Sequence, residues 1–161
     1  MDVLSPRGVV VGGLLVLLAL SGCASLSAHP TGLTESGQLQ PCPSAPRCVS
    51  SVETDPRHSV TPLYLRAADD GLWTELLDVL SQQPRTTLVE IRADYVRAEI
   101  LSPWGLYIDD LELHRRVDSP VIQMRSSGRI GYYDFQVNRE RVEALRAAAA
   151  AAGLLREPAD G

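Results

Sequence analysis

Arg125, Arg129, Arg139 and Arg141 crowd the segment from Met124 to Arg141, together with Gly128, Gly131 and Asn138. A guanidinium stays charged in a protein and presents a planar fork of donors that matches a carboxylate or a phosphate. The pattern predicts a strand ending near Arg125, a glycine-containing turn holding Arg129, and a helix that starts at Asn138 as N-cap. Arg139 and Arg141 would then sit in the first turn, where cations oppose the helix dipole. Something anionic must compensate them, and two sources fit. One is internal: Asp109, Asp110, Glu112 and Asp134 pair with the arginines as a structural network. The other is external: a phosphate, a carboxylate or an envelope partner bound by Arg125, Arg129, Arg139 and Arg141 with the free amides after Asn138.

Catalysis is the rival reading. Asp109, Asp110 and Asp134 offer acid and base groups, and Asp-Asp-x-Glu offers hard oxygen ligands to a cation, for hydrolytic or metal-assisted chemistry. Adjacent strand residues point to opposite faces, so Asp109 and Asp110 serve one site only if a bulge intervenes. Ser126 and Ser127 lack the Gly-x-Ser-x-Gly elbow of a nucleophile. His58 and His114 read as satisfied histidines, and His29 falls in a linker. No cofactor and no metal site are expected, and a binding or interaction module is favoured over an enzyme, with a purely structural role as a further alternative.

The elements that must position these residues read as α+β. Asp69-Asp70 suit a helix start, Leu72, Trp73, Leu76, Leu77 and Leu80 share one face, and Pro84 prevents continuation past about Gln82. A weak strand from Ser59 to Ala67 precedes this helix. Thr87, Val89 and Ile91 alternate with Glu90 and Arg92, and Val96, Ala98 and Ile100 with Arg97 and Glu99, predicting a hairpin with its apolar side chains inward. In Leu106 to Leu113 the apolar parity switches at Asp109-Asp110, which predicts a bulge there. Val121 to Arg125 is a further strand. The last helix carries Val142, Leu145 and Ala149 inward, ends at Gly153, and leaves Leu154-Leu155 to pack back. The expected architecture is an antiparallel sheet of about five strands with two helices on one face, in the order strand, helix, four strands, helix.

The N-terminus reads as an address. Val9 to Leu20 is a twelve-residue apolar run interrupted only by Gly12 and Gly13, shorter than the roughly 20 residues of a membrane span. Leu20-Ser21-Gly22-Cys23 resembles a bacterial lipobox. Residues 1–22 are then a lipoprotein signal peptide, Cys23 carries the lipid, palmitate included, and the chain is anchored to the cell envelope. With Ala24 after the cysteine, the periplasmic face of the outer membrane is the expected location in a diderm host. Residues 23–40 read as a flexible tether of roughly 20–25 Å reach. One domain follows over 41–155, and 156–161 is a disordered tail. In an oxidising compartment Cys42 and Cys48, with five residues between them, are expected to form a disulfide.

Composition narrows the partners. The net charge is −5, which argues against nucleic acid. All fifteen basic residues are arginine, which excludes Schiff-base lysines and lysine general bases. The run from Cys42 to Ser51, then Pro84-Arg85-Thr86, Trp104-Gly105 leading to Asp109-Asp110-Leu111-Glu112, the run from Arg125 to Asp134, and Asn138-Arg139-Glu140-Arg141 occur in a characteristic order. They resemble the family called domain of unknown function 1499, over roughly Pro41 to Ala148. Gly128 stands where that family usually carries serine, and Leu101-Ser102-Pro103 lacks the expected basic residue. The resemblance implies a small domain of bacterial envelope proteins and plastids with no established activity.

Overall fold

The structure, a computed structural model, describes residues 30–156. The expected signal peptide, Cys23, His29 and all but the first residue of the expected tail lie outside the described residues. The elements are β1 (Cys48–Ser50), β2 (Leu63–Tyr64), α1 (Asp70–Ser81), β3 (Thr86–Ile91), β4 (Tyr95–Leu101), β5 (Ile108–Arg115), β6 (Val121–Gly128) and α2 (Val137–Ala151). All strand pairs are antiparallel, in the order β1-β6-β5-β4-β3, with β2 also on β6. The fold is α+β, as expected from the periodicities, with the short β1 added ahead of the anticipated order.

Helix α1 forms where the sequence has both a start and a stop. Asp69 caps it by accepting the Leu72 amide at 3.0 Å, and the chain beyond Gln82 meets Pro84. Leu72, Trp73, Leu76 and Leu80 face inward. Val142, Leu145 and Ala149 of α2 join them over Val96, Ala98, Leu111, Leu113, Ile122 and Met124. Each fully buried Leu, Ile or Met contributes roughly 1.5–3 kcal/mol. The Trp73 ring is also covered by the Arg115 guanidinium, 5.2 Å from its centroid, which is itself held by Asp70 at 2.7 Å. Leu154 is buried and Leu155 bridges to Leu65.

Three expectations change. The tether expected to run through Gln40 is ordered from Pro30 onward. Leu33 and Leu39 form an antiparallel bridge around a turn at Thr34–Gly37, and Leu39 is buried. This strap lies over the sheet face that the helices do not cover, where the Gly32 amide donates to Glu112. Its turn reaches His114, Arg116 and Val117. Second, β5 keeps regular register on both sides through Asp109 and Asp110, so no bulge lies there. The register shift is instead in β3, between Leu88 and Glu90. Third, Thr87, Val89 and Ile91 are exposed, whereas Leu88 packs on the core opposite Ala98. Strand β3 is the sheet edge, and its irregularity places Leu88 inward and Glu90 beside Arg97.

The disulfide between Cys42 and Cys48 is present, with Cα atoms 5.6 Å apart. It ties the end of the strap to β1.

Candidate functional site

Both faces of the central strands are covered, and the face away from the helices is polar. Alternation along β4, β5 and β6 brings Tyr95, Arg97, Glu99, Asp110, Glu112, His114, Arg125 and Ser127 to it. Its hub is Glu112. One carboxylate oxygen accepts Arg125 Nη1 at 2.5 Å; the other accepts the Tyr95 hydroxyl at 2.7 Å and the Gly32 amide at 2.6 Å. Arg125, Glu112 and Tyr95 have no exposed surface. Among the described residues Arg125 Nε and Nη2 and the Ser127 hydroxyl have no hydrogen-bond partner. Burial, and then the charge of Glu112, push the Tyr95 phenol far above its ordinary range, so it remains a donor.

Two residues up β5, Asp110 is wholly buried and held by two arginines. Arg129 reaches both of its oxygens at 2.8 Å, and Arg97 adds a contact at 3.0 Å. Glu99 accepts from the same two guanidiniums, at 2.5 and 3.3 Å. The hydrogen bonds to Asp110, outweighing burial, raise the Arg129 pKa still further. Asp109 points the other way, toward α2, and accepts Arg141 Nη2 at 2.8 Å. Arg141 also donates to Asn138 Oδ1 at 2.5 Å and to the Ser126 hydroxyl at 3.0 Å. Asp109 and Asp110 therefore belong to two networks on opposite faces.

The start of α2 differs from the expectation. Asn138 is not the N-cap; that position is Gln136, left-handed at φ 72° and without a side-chain cap bond. Asp134 takes over the role, its carboxylate accepting the amides of Gln136 at 3.0 Å and Asn138 at 3.1 Å. A carboxylate placed there suits the helix dipole. Asn138 is buried inside the first turn, accepting from Ser126 and Arg141 and donating to Asp134 and to the Arg47 carbonyl. Arg139 differs from the other three arginines. Among the described residues it meets only the carbonyl oxygens of Ser59, Pro56 and Arg57, and it lines a cleft of about 380 Å³ with Arg57, Asp134, Pro46, Tyr133 and Gln136.

The carboxylates considered for acid and base work are thus each engaged, by arginine or by backbone amides. The Ser126 hydroxyl is turned to Asn138, and His58 Nδ1 lies 2.8 Å from the Cys48 carbonyl. His114 is two positions from Glu112 on the polar face, near the opposite end of β5 from Asp109. Among the described residues no three His, Cys, Asp or Glu side chains gather as a metal site would require.

A second feature escaped the sequence reading. Strands β4, β5 and β6 end together, Leu101 opposite Ile108 and Asp109 opposite Gly128, so the loops 102–107 and 129–136 rise from one end of the sheet. They expose Trp104 (86%), Leu106 (68%), Tyr132 (75%) and Phe135 (80%), with Tyr107 and Ile130 also open. Phe135 and Gln136 are consecutive non-glycine residues at positive φ, 56° and 72°; such conformations cost of order 1–3 kcal/mol each. The Phe135 ring meets Tyr133 edge to face at 5.1 Å. Aromatic residues flanking the turn glycines Gly105 and Gly131 were the available signal. The missing information was that the two loops share one end.

No curated protein and no solved structure matches the chain. A family model does: proteins of unknown function, DUF1499, over residues 38–149. That span holds the sheet, both helices nearly entire, the disulfide and every arginine of the two networks, so the chain belongs to the DUF1499 family.

Proposed function

We propose that this protein is a non-catalytic interaction module of the cell envelope, anchored by lipid on Cys23, which meets its partner through the aromatic end of the sheet. One observation carries the reading. Arg125, Arg129 and Arg141 are already neutralised by carboxylates inside the domain, while large apolar side chains of two adjoining loops stand in solvent. Charged groups that pair internally serve the fold. Apolar groups left exposed together mark a contact surface. No helix among the described residues is long and apolar enough to cross a membrane; in this reading lipid on Cys23 supplies the attachment.

An anion-binding reading survives in narrower form at Arg139, whose guanidinium has carbonyl partners but no carboxylate among the described residues and faces the cleft. Melting the full chain with added phosphate tests it. A stabilisation lost in Arg139→Ala but kept in Arg57→Ala assigns the anion to Arg139, and no stabilisation removes the anion site.

The interaction reading is tested by placing a photo-crosslinking residue at Tyr132 or Leu106 in the native host, with Glu75 on the exposed face of α1 as control. Adducts from the two loop positions and none from Glu75 support it. Equal labelling from all three sinks it. Intact mass of the purified product reads whether the chain begins at a lipidated Cys23, and Cys23→Ser exported behind a leader that is cut without lipidation is expected to leave the membrane fraction.

A further inference from the structure

We infer that the aromatic end docks on the phospholipid headgroup layer, holding the domain in one orientation on the membrane to which Cys23 is attached. The inference rests on the lipid-anchor reading and names the partner of the same surface.

The chain's exit fixes which end faces the membrane. The strap's turn lies at His114, Arg116 and Val117, and Gly32 binds Glu112 farther up β5. The direction from turn to Gly32 therefore runs toward Asp110, which is the aromatic end, and Pro30 lies two residues beyond the bend at Gly32. Seven peptide links separate Pro30 from Cys23, which at full extension span no more than about 25 Å. An anchor that short brings the end nearest Pro30 down to the bilayer.

The side chains there suit the interface. Trp and Tyr partition to the headgroup level, where the ring is sheltered and the polar atom stays hydrated, and Trp104, Tyr107, Tyr132 and Phe135 are all exposed. The charges are arranged to match. Arg47, Arg85 and Arg139 lie at or beside this end with no carboxylate partner among the described residues, against two carboxylates without an arginine partner, Asp134 and Glu140. At the opposite end Glu35, Asp69, Asp94 and Asp118 are without arginine partners among the described residues, against Arg66, Arg116 and Arg156. An anionic leaflet attracts the first end and repels the second. Positive φ at Phe135 and Gln136, with Asp134 fastened to the α2 amides, holds the Phe135 ring outward. The loop is shaped for the contact in advance.

The test uses the two tryptophans. Trp73 is buried and Trp104 exposed, so contact quenching by lipid reads Trp104. The full chain, expressed with its leader, is purified from membranes and reconstituted into phosphatidylethanolamine–phosphatidylglycerol vesicles containing a phospholipid brominated near the top of its acyl chain. A roughly twofold loss of Trp104 emission is expected, absent in Trp104→Phe. Intact mass of the same sample reports lipid on Cys23, so anchoring and docking are read separately. A lipidated chain that floats with vesicles while Trp104 stays unquenched and open to acrylamide overturns docking and leaves anchoring intact. An unlipidated chain whose Trp104 is quenched on mixing with vesicles keeps docking and removes the anchor; without that quenching, docking falls too. Shielding of Trp104 without vesicles, together with a doubled mass, assigns the surface to a second copy of the chain and overturns the membrane reading.

Discussion

Arg125 has no exposed surface, and among the described residues only one of its three nitrogens has a partner, Glu112. An ion of this kind is costly to strip of its counter-charge: breaking a buried pair typically costs about 3–5 kcal/mol. Glu112→Gln is expected to destabilise by that order in urea unfolding, because a carboxamide leaves Arg125 charged and unneutralised. The double variant Glu112→Leu/Arg125→Met should recover part of the loss. Full recovery is not expected, since Tyr95 and the Gly32 amide lose their acceptor as well. A neutral Glu112→Gln would mean that the pair does not hold in solution. His114 acts through protons. Burial, helped by Arg116 and opposed by Asp94, holds its imidazole below the ordinary value of 6.5. The unfolded chain therefore binds a proton below about pH 6.5 that the native chain refuses. Its contribution is full above that pH and is lost as pH falls toward the folded-state value. Between about pH 7.5 and about pH 5.5 the wild type should lose more stability than His114→Gln; equal losses would clear His114 of the effect.

Among the elements, the strap over 30–40 is where sequence and structure part most sharply. If it were a tether, Leu39→Ala would cost nothing. Since Leu39 is buried, the substitution is expected to cost roughly 2–4 kcal/mol, measured as a shift of the urea midpoint at constant slope. Reduction of Cys42–Cys48, which closes a short loop between strap and β1, should cost about 2 kcal/mol in the chain-entropy account. Helix α1 was legible because its signals are local: an acidic cap, a four-leucine face with Trp73, and a proline stop. The strap was not, because its Ser, Thr and Gly composition is that of a linker and its stability comes from Glu112, far away in sequence. Strand β3 misled for a similar reason. A period-two pattern has two phases, and the core selected the one containing Leu88. For the site, pairing of the arginines with Asp109, Asp110 and Glu112 was readable from charge type alone. The N-cap at Asn138 was misread because the helix begins earlier, with Asp134 accepting the Gln136 and Asn138 amides from outside it.

At the scale of the whole molecule the charges divide into two populations, and salt separates them. The paired set, Glu112–Arg125, Asp110–Arg129 and Asp109–Arg141, is buried or largely so, and ions at such depth are screened little by bulk electrolyte. The unpaired set is at the surface: Arg85 beside the aromatic loops, and Glu35 and Asp118 on turns at the far end. Its interactions extend about 10 Å at 0.1 M salt and shrink to about 3 Å at 1 M. The melting temperature of the full chain in detergent should therefore change by only about 2–3 °C between roughly 0.05 and 0.5 M sodium chloride. Vesicle binding of the chain from residue 23 onward carrying Cys23→Ser, which has only the aromatic end to hold it, should weaken severalfold over the same range. Arg85→Glu should weaken it further at low salt, with no matching change in the melt. Were the melt of Arg139→Ala to rise steeply with phosphate or sulfate while chloride left it flat, the paired arginines would be open to anions and the internal network would be the wrong description. Opposite salt responses for stability and for binding are expected because the domain spends its arginine pairs on cohesion and leaves a few cations, placed around exposed aromatic rings, to face outward.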